Sequence, residues 1–231
     1  VLGYPLWELL LRLELKYSDR VITVSKTLYK LIITDYNVAQ NKVLCIPNGV
    51  DIDHIVSKVH SASCKHAIVN SSYKHILVSG GRLFYEKGHL ILIYVLKKII
   101  DKGFKNVTLY IFGEGPLRTL LERKIREYNL ERYIKLLGKI AHEKALCIMN
   151  MADVILIPSI YEIMPMTLLE AIALKKPVIA LNSWYLKEII EKELSAAKEL
   201  TPERAFRIIS TISNKHIVEL CSEAKKVKGI D

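Results

Sequence analysis

Two hydrophobic periods alternate along the chain. Short, nearly continuous apolar runs recur at residues 20–25 (RVITVS), 42–47 (KVLCIP), 75–80 (HILVSG), 107–113 (VTLYIFG), 133–138 (YIKLLG), 154–159 (VILIPS) and 177–182 (PVIALN). Between most of them apolar residues return at spacings of three and four, as in KGHLILIYVLKKIIDKG, PLRTLLERKIREYNL and HEKALCIMNMA. The first pattern predicts buried strands and the second amphipathic helices. Buried strands separated by helices predict a parallel sheet covered on both faces, an α/β doubly wound fold. The opening YPLWELLLRLELKYSDR is read as a helix whose stripe Leu6, Leu9, Leu10 and Leu13 packs on the domain. A membrane-surface role for it is the minor alternative, because only Arg12, Lys16 and Arg20 decorate its polar side. Residues 51–74 read as a polar, irregular loop, and the tail from Thr201 as two further helices, the first opened by TPER. These signals divide the chain into segments 1–20, 21–192 and 193–231.

Composition narrows the class. The chain has 231 residues, of which 51% are hydrophobic and 25% charged, enough apolar material for a globular core. Its apolar runs are too short and too often broken by charge to span a bilayer, and no leader-peptide pattern opens it, so an intracellular, cytoplasmic protein is expected. The chain begins at Val1 rather than Met, which reads as an alternative start or a segment lost upstream. Cys45, Cys64, Cys147 and Cys221 form no C-x-x-C pair and are read as separate buried thiols rather than a disulfide or zinc framework. A net charge of +10 favours anionic partners. The basic residues are spread along helices without interleaved aromatics, so no nucleic-acid partner is expected.

Candidate chemistry gathers where strands end, since ligands of open parallel sheets bind at the carboxyl edge. After HILVS, GGRLFYEKG places Gly80 and Gly81 in a tight turn and Arg82 and Lys87 on a loop that opens a helix, a candidate diphosphate site. After VTLYI, FGEGP lacks the third glycine of a dinucleotide fingerprint, so nicotinamide binding is rejected. His142 in KIAHEK is a candidate base, but with no catalytic partner recognised beside it in sequence it reads as the polar start of a helix. After VILIPS come Glu162, Pro165 near a helix start, and Glu170 on that helix. Two carboxylates so placed suit a ligand rich in hydroxyls, such as a ribose and a sugar joined by a diphosphate lying near the first-turn N–H groups.

The ordered set SDRVITVS, VLCIPNGVD, GGRLFYEKG, LYIFGEGP, LLGKIAHEK, ADVILIPSIYE and EAIALKKPVIA resembles the C-terminal donor-binding domain of the retaining GT-B glycosyltransferases of family 4, over about residues 18–192. The resemblance implies a Rossmann-like C-terminal half of a GT-B fold for 21–192, a remnant helix of the N-terminal lobe or linker for 1–20, and C-terminal helices for 193–231. It implies a nucleotide-diphosphate sugar as donor, transferred with retention of configuration and with no cofactor and no metal. Arg82 and Lys87 would bind the diphosphate beside Gly81, Lys139 and Ile140 would meet the base, and Glu170 would hold the ribose. Glu162, the candidate catalytic residue, would lie by the transferred sugar, with Met166 and Thr167 completing the donor-binding set.

Departures from the family pattern are equally specific. Pro165 stands where the family usually has a glycine, and it has no N–H to offer. Lys176 replaces a small glycine, and Trp184 and Tyr185 replace a glycine pair. Most of the N-terminal lobe, which would supply the acceptor site, has no counterpart. The expected function is therefore a retaining glycosyltransferase, or the donor-binding half of one, acting on an unknown acceptor. The alternatives are a non-catalytic nucleotide-sugar-binding subunit, its acceptor lobe coming from another chain or self-association, and a degenerate scaffold. The basic charge agrees with peripheral contact at the inner membrane face.

Overall fold

The computed structural model describes residues 3–60, 64 and 75–181, with side chains from Leu6 onward. The expected C-terminal helices over 193–231, the bulky pair Trp184 and Tyr185, and the end of the seventh apolar run at Asn182 lie outside the described residues. The seven expected strands are all present: β1 Val21–Thr23, β2 Val43–Cys45, β3 His75–Gly80, β4 Val107–Phe112, β5 Ile134–Gly138, β6 Val154–Ile157 and β7 Val178–Ala180. Helices α1 Gly3–Tyr17, α2 Lys26–Thr34, α3 Ile52–Val59, α4 His89–Asp101, α5 Arg118–Glu127, α6 His142–Met151 and α7 Met166–Ala173 are interspersed among them.

Strands β3 to β7 form one parallel sheet in the order β5-β4-β3-β6-β7, whereas among the described residues β1 and β2 pair in parallel only with each other. The chain winds outward from β3 through β4 to β5, then returns to lay β6 on the other side of β3. That reversal leaves a crevice at the carboxyl ends of β3 and β6, the place where such sheets receive ligands.

The continuous apolar strands are explained by two cores, one on each face. Val78, Tyr110, Ile155 and Ile157 point into a core built with α3, α6 and α7. Their sequence neighbours Leu77, Leu109, Ile111 and Leu156 point into the opposite core, with α4 and α5. A period of two that finds oil on both sides reads as an unbroken apolar run.

Three expectations need correction. Residues 52–59 are a helix rather than irregular loop: Asp51 caps it by accepting a hydrogen bond from the His54 N–H at 2.8 Å, and Ile55 and Val59, four apart, enter the core. Cys64 and Cys147 are not separate thiols but a disulfide whose Cα atoms lie 5.2 Å apart. Nothing local marks that pair, because 83 residues separate them and only the packing of α3 against α6 brings them together. Cys45 is free and half-buried. Finally, the leucine stripe of α1 faces outward: Leu6, Leu9, Leu10 and Leu13 are exposed, and the helix instead anchors through Leu15, buried with Ile32, Val38 and Val43. Arg12 and Glu8, on the same face as Leu15, reach Tyr36 by ring contact and hydrogen bond respectively.

Candidate functional site

The loop after β3 is shaped by backbone packing. Gly113, at φ 130, lies so close to the loop that a Cβ there would overlap the Gly81 carbonyl oxygen. The glycines of FGEGP thus admit a neighbouring stretch of chain. Hydrogen bonds from the N–H groups of Gly81 to Phe112 O and Leu83 to Glu114 O, at 3.1 and 2.9 Å, fasten the two loops. The chain then makes a single 3-10 turn at Tyr85–Lys87 and enters α4 through Gly88, whose left-handed φ of 67 only glycine adopts readily. A Cβ on Gly88 would meet the Pro158 carbonyl, so the start of α4 rests directly on the loop after β6.

This contact sets the register of the charged groups. The Ile160 N–H donates to Glu86 O at 2.8 Å, and beside that rung the Lys87 Nζ forms an ion pair with Glu162 Oε2. Ser159 Oγ approaches the same carboxylate oxygen at 3.5 Å. The structure therefore brings together two residues expected at the site from opposite sides of the crevice. Arg82 is placed differently: its side chain is 69% exposed, stacks on the Phe84 ring and lies 3.7 Å from Glu86.

Pro165 caps α7 in extended conformation, so the first N–H groups of the helix come from Met166, which is exposed, and Thr167, which is half-buried. Glu170 sits further along and is largely covered. Its Oε1 lies 2.7 Å from Nε2 of His142, the first residue of α6. Sequence inspection discounted His142 for want of a local partner; the adjacent Glu143 turns to Lys58, and the fold supplies the carboxylate of Glu170 from 28 residues away. Beyond β5, Lys139 is exposed and Ile140 is half-buried against the core beneath α6 and α7. The Asn48 N–H and side-chain amide reach Met164, its Sδ at 3.1 Å and its O at 3.5 Å, so the segment after β2 also touches the turn before α7.

His89, the first residue of α4, is buried with neither ring nitrogen hydrogen-bonded to protein. Burial, with a smaller contribution from the Lys87 cation, lowers its pKa from 6.5 to about 4, so the ring is neutral at ordinary pH. Glu143 next to His142 has its carboxyl held below the usual range, first by the hydrogen bond from Lys58 of α3. Among the described residues no group of three or more His, Cys, Asp and Glu is arranged to hold a metal ion.

The edge thus offers cations, carboxylates and a helix start, an arrangement suited to a polyhydroxylated ligand carrying a diphosphate. Comparison with known proteins points the same way. The family model described as Glycosyl transferases group 1 matches residues 65–225, and that of Glycosyltransferase Family 4 matches residues 2–54. An uncharacterised glycosyltransferase of Methanocaldococcus jannaschii is 31% identical over 181 residues, covering 77% of this chain and 46% of the relative. The GPI3 subunit of phosphatidylinositol N-acetylglucosaminyltransferase from Saccharomyces cerevisiae is 27% identical over 192 residues, 83% of this chain and 42% of the relative. The chain therefore spans less than half the length of these relatives. Among solved structures, Anabaena HepE in complex with UDP and glucose superposes with a TM-score of 0.66 at 19% identity, over 96% of this chain and 64% of that one. With the first model matched from residue 65 to residue 225, well over half of its length, the chain belongs to the group 1 glycosyl transferases.

Proposed function

We propose that this chain is the donor-binding half of a retaining glycosyltransferase, taking a sugar from a nucleotide-diphosphate sugar and passing it to an acceptor held elsewhere. The observation that carries the reading is the Lys87–Glu162 ion pair at the topological reversal of the sheet, with Ser159 beside it. When the bond from the anomeric carbon to the diphosphate breaks, negative charge grows on the leaving nucleoside diphosphate. Lys87, Arg82 and the Met166 and Thr167 N–H groups stand ready to stabilise it, with Gly81 shaping the loop. Glu162 faces the transferred sugar, Glu170 the ribose, and Lys139 and Ile140 the base. This role assignment rests on the family resemblance and on each residue's place at the carboxyl edge.

A second reading, a nucleotide-sugar-binding subunit completed by another chain or by self-association, is favoured by one observation. Leu9, Leu10 and Leu13 of α1 and Ile22, Leu44 and Ile46 of the β1–β2 segment are exposed, apolar side chains that a partner would cover.

Calorimetric titration of the chain with UDP, GDP and ADP sugars, UDP first, tests the donor site. Saturable binding of one donor is expected, and failure of all three removes both readings. Transfer by the chain alone would exclude the need for a partner.

A further inference from the structure

We propose that His142 is a positioning residue for the donor site: it fixes the carboxylate of Glu170 through a hydrogen bond from its imidazole, so that one oxygen is committed to the ring and the other is presented to ligand hydroxyls. The inference rests on the reading of Glu170 as the ribose contact. An ionised carboxylate only accepts hydrogen bonds, so the 2.7 Å contact between Nε2 and Glu170 Oε1 requires the ring proton on Nε2. Glu170 has only 13% of its side chain exposed, and a largely covered carboxylate that lost its donor would be left underpaired. The imidazole itself is 61% exposed, so it is held from below rather than by enclosure.

What holds it is the start of α6. The neighbouring Glu143 is ion-paired with Lys58 of α3, and Cys147, in the same helix, is disulfide-bonded to Cys64. Both ties join α6 to the segment spanning α3 and the residues after it. The first turn of α6 is thereby clamped, and the ring that projects from it can orient a carboxylate on a different helix. Glu170 is thus aimed by a group at the start of the helix after β5, although it belongs to the helix after β6.

The test uses the full chain and whichever of UDP, GDP and ADP binds most tightly, together with its 2′,3′-dideoxy analogue. His142→Ala is expected to weaken the ribonucleotide about tenfold, the size of one charge-assisted hydrogen bond, and the dideoxy analogue by less than about twofold. His142→Gln, which keeps an N–H donor at similar reach, is expected to recover most of the loss. Equal weakening of both nucleotides, or none of either, overturns the proposal. The 15N signals of the His142 ring provide a readout that needs no nucleotide. Glu170→Gln is expected to shift them, and unchanged signals overturn the pair. Absence of nucleotide binding by the wild type alongside a shift in those signals would instead locate the failure in the proposed function.

Discussion

Lys87 Nζ and Glu162 Oε2 form an ion pair between the loops that follow β3 and β6, with only 19% and 15% of their side chains exposed. Arg82, five residues before Lys87, has 69% of its side chain exposed. The two cations assigned to one diphosphate therefore differ in what they do for the protein without a ligand. Lys87 neutralises a covered carboxylate, and Arg82 waits at the surface.

That contrast separates two substitutions. Arg82→Ala is expected to weaken nucleoside-diphosphate binding by about 1.5–3 kcal/mol while changing unfolding free energy by less than about 0.5 kcal/mol. Lys87→Ala is expected to weaken binding similarly and also to destabilise the fold by about 1–3 kcal/mol, because Glu162 loses its partner in a mostly covered position. Titration calorimetry and denaturant unfolding of both variants check this, and equal stability losses would contradict it.

His89 makes stability depend on pH. Its folded pKa of about 4 lies below the ordinary 6.5, so between these values the unfolded chain binds more protons than the folded one. The neutral ring's contribution is fully present above about pH 6.5, declines as pH falls through that window and is gone below about pH 4. A shift of that size corresponds to about 3 kcal/mol. Urea unfolding at pH 7, 5.5 and 4.5 is expected to show this slope in the wild type and a shallower one in His89→Leu. A parallel pair of profiles would show that other groups set the acid sensitivity.

The position of Leu15 separates anchoring from covering in α1. Leu15→Ala is expected to cost about 2 kcal/mol or more, since its side chain is buried with Ile32, Val38 and Val43. Leu9→Ala, on the exposed face, is expected to change stability by less than about 0.5 kcal/mol. Thermal unfolding of the two variants side by side checks the difference, and a large loss from Leu9→Ala would mean that its face is covered in solution.

Much of the architecture was legible in the residues. The seven strands follow from runs that stay apolar on both alternating faces, and the alternation with helical stretches implied the parallel sheet. The helix at Ile52–Val59 was legible too, through the Asp51 cap and the spacing of Ile55 and Val59, but the polar Ser, His and Lys around them obscured it. Nothing in FGEGP itself names the neighbour that its glycines admit, which is the loop after β3.

By itself, then, the sequence determined the local periods, the strand and helix inventory, and which residues lie at strand ends, because side-chain alternation and helical spacing are properties of neighbouring residues. Only the tertiary structure decided which of those ends meet. Lys87 finds Glu162 across 75 residues and His142 finds Glu170 across 28, through a sheet order that returns past β3. It also decided that Cys64 joins Cys147 and that the stripe Leu6, Leu9, Leu10 and Leu13 of α1 faces outward. An amphipathic stripe records that one face is apolar, whereas what covers that face depends on how distant elements pack, and no local pattern carries that information.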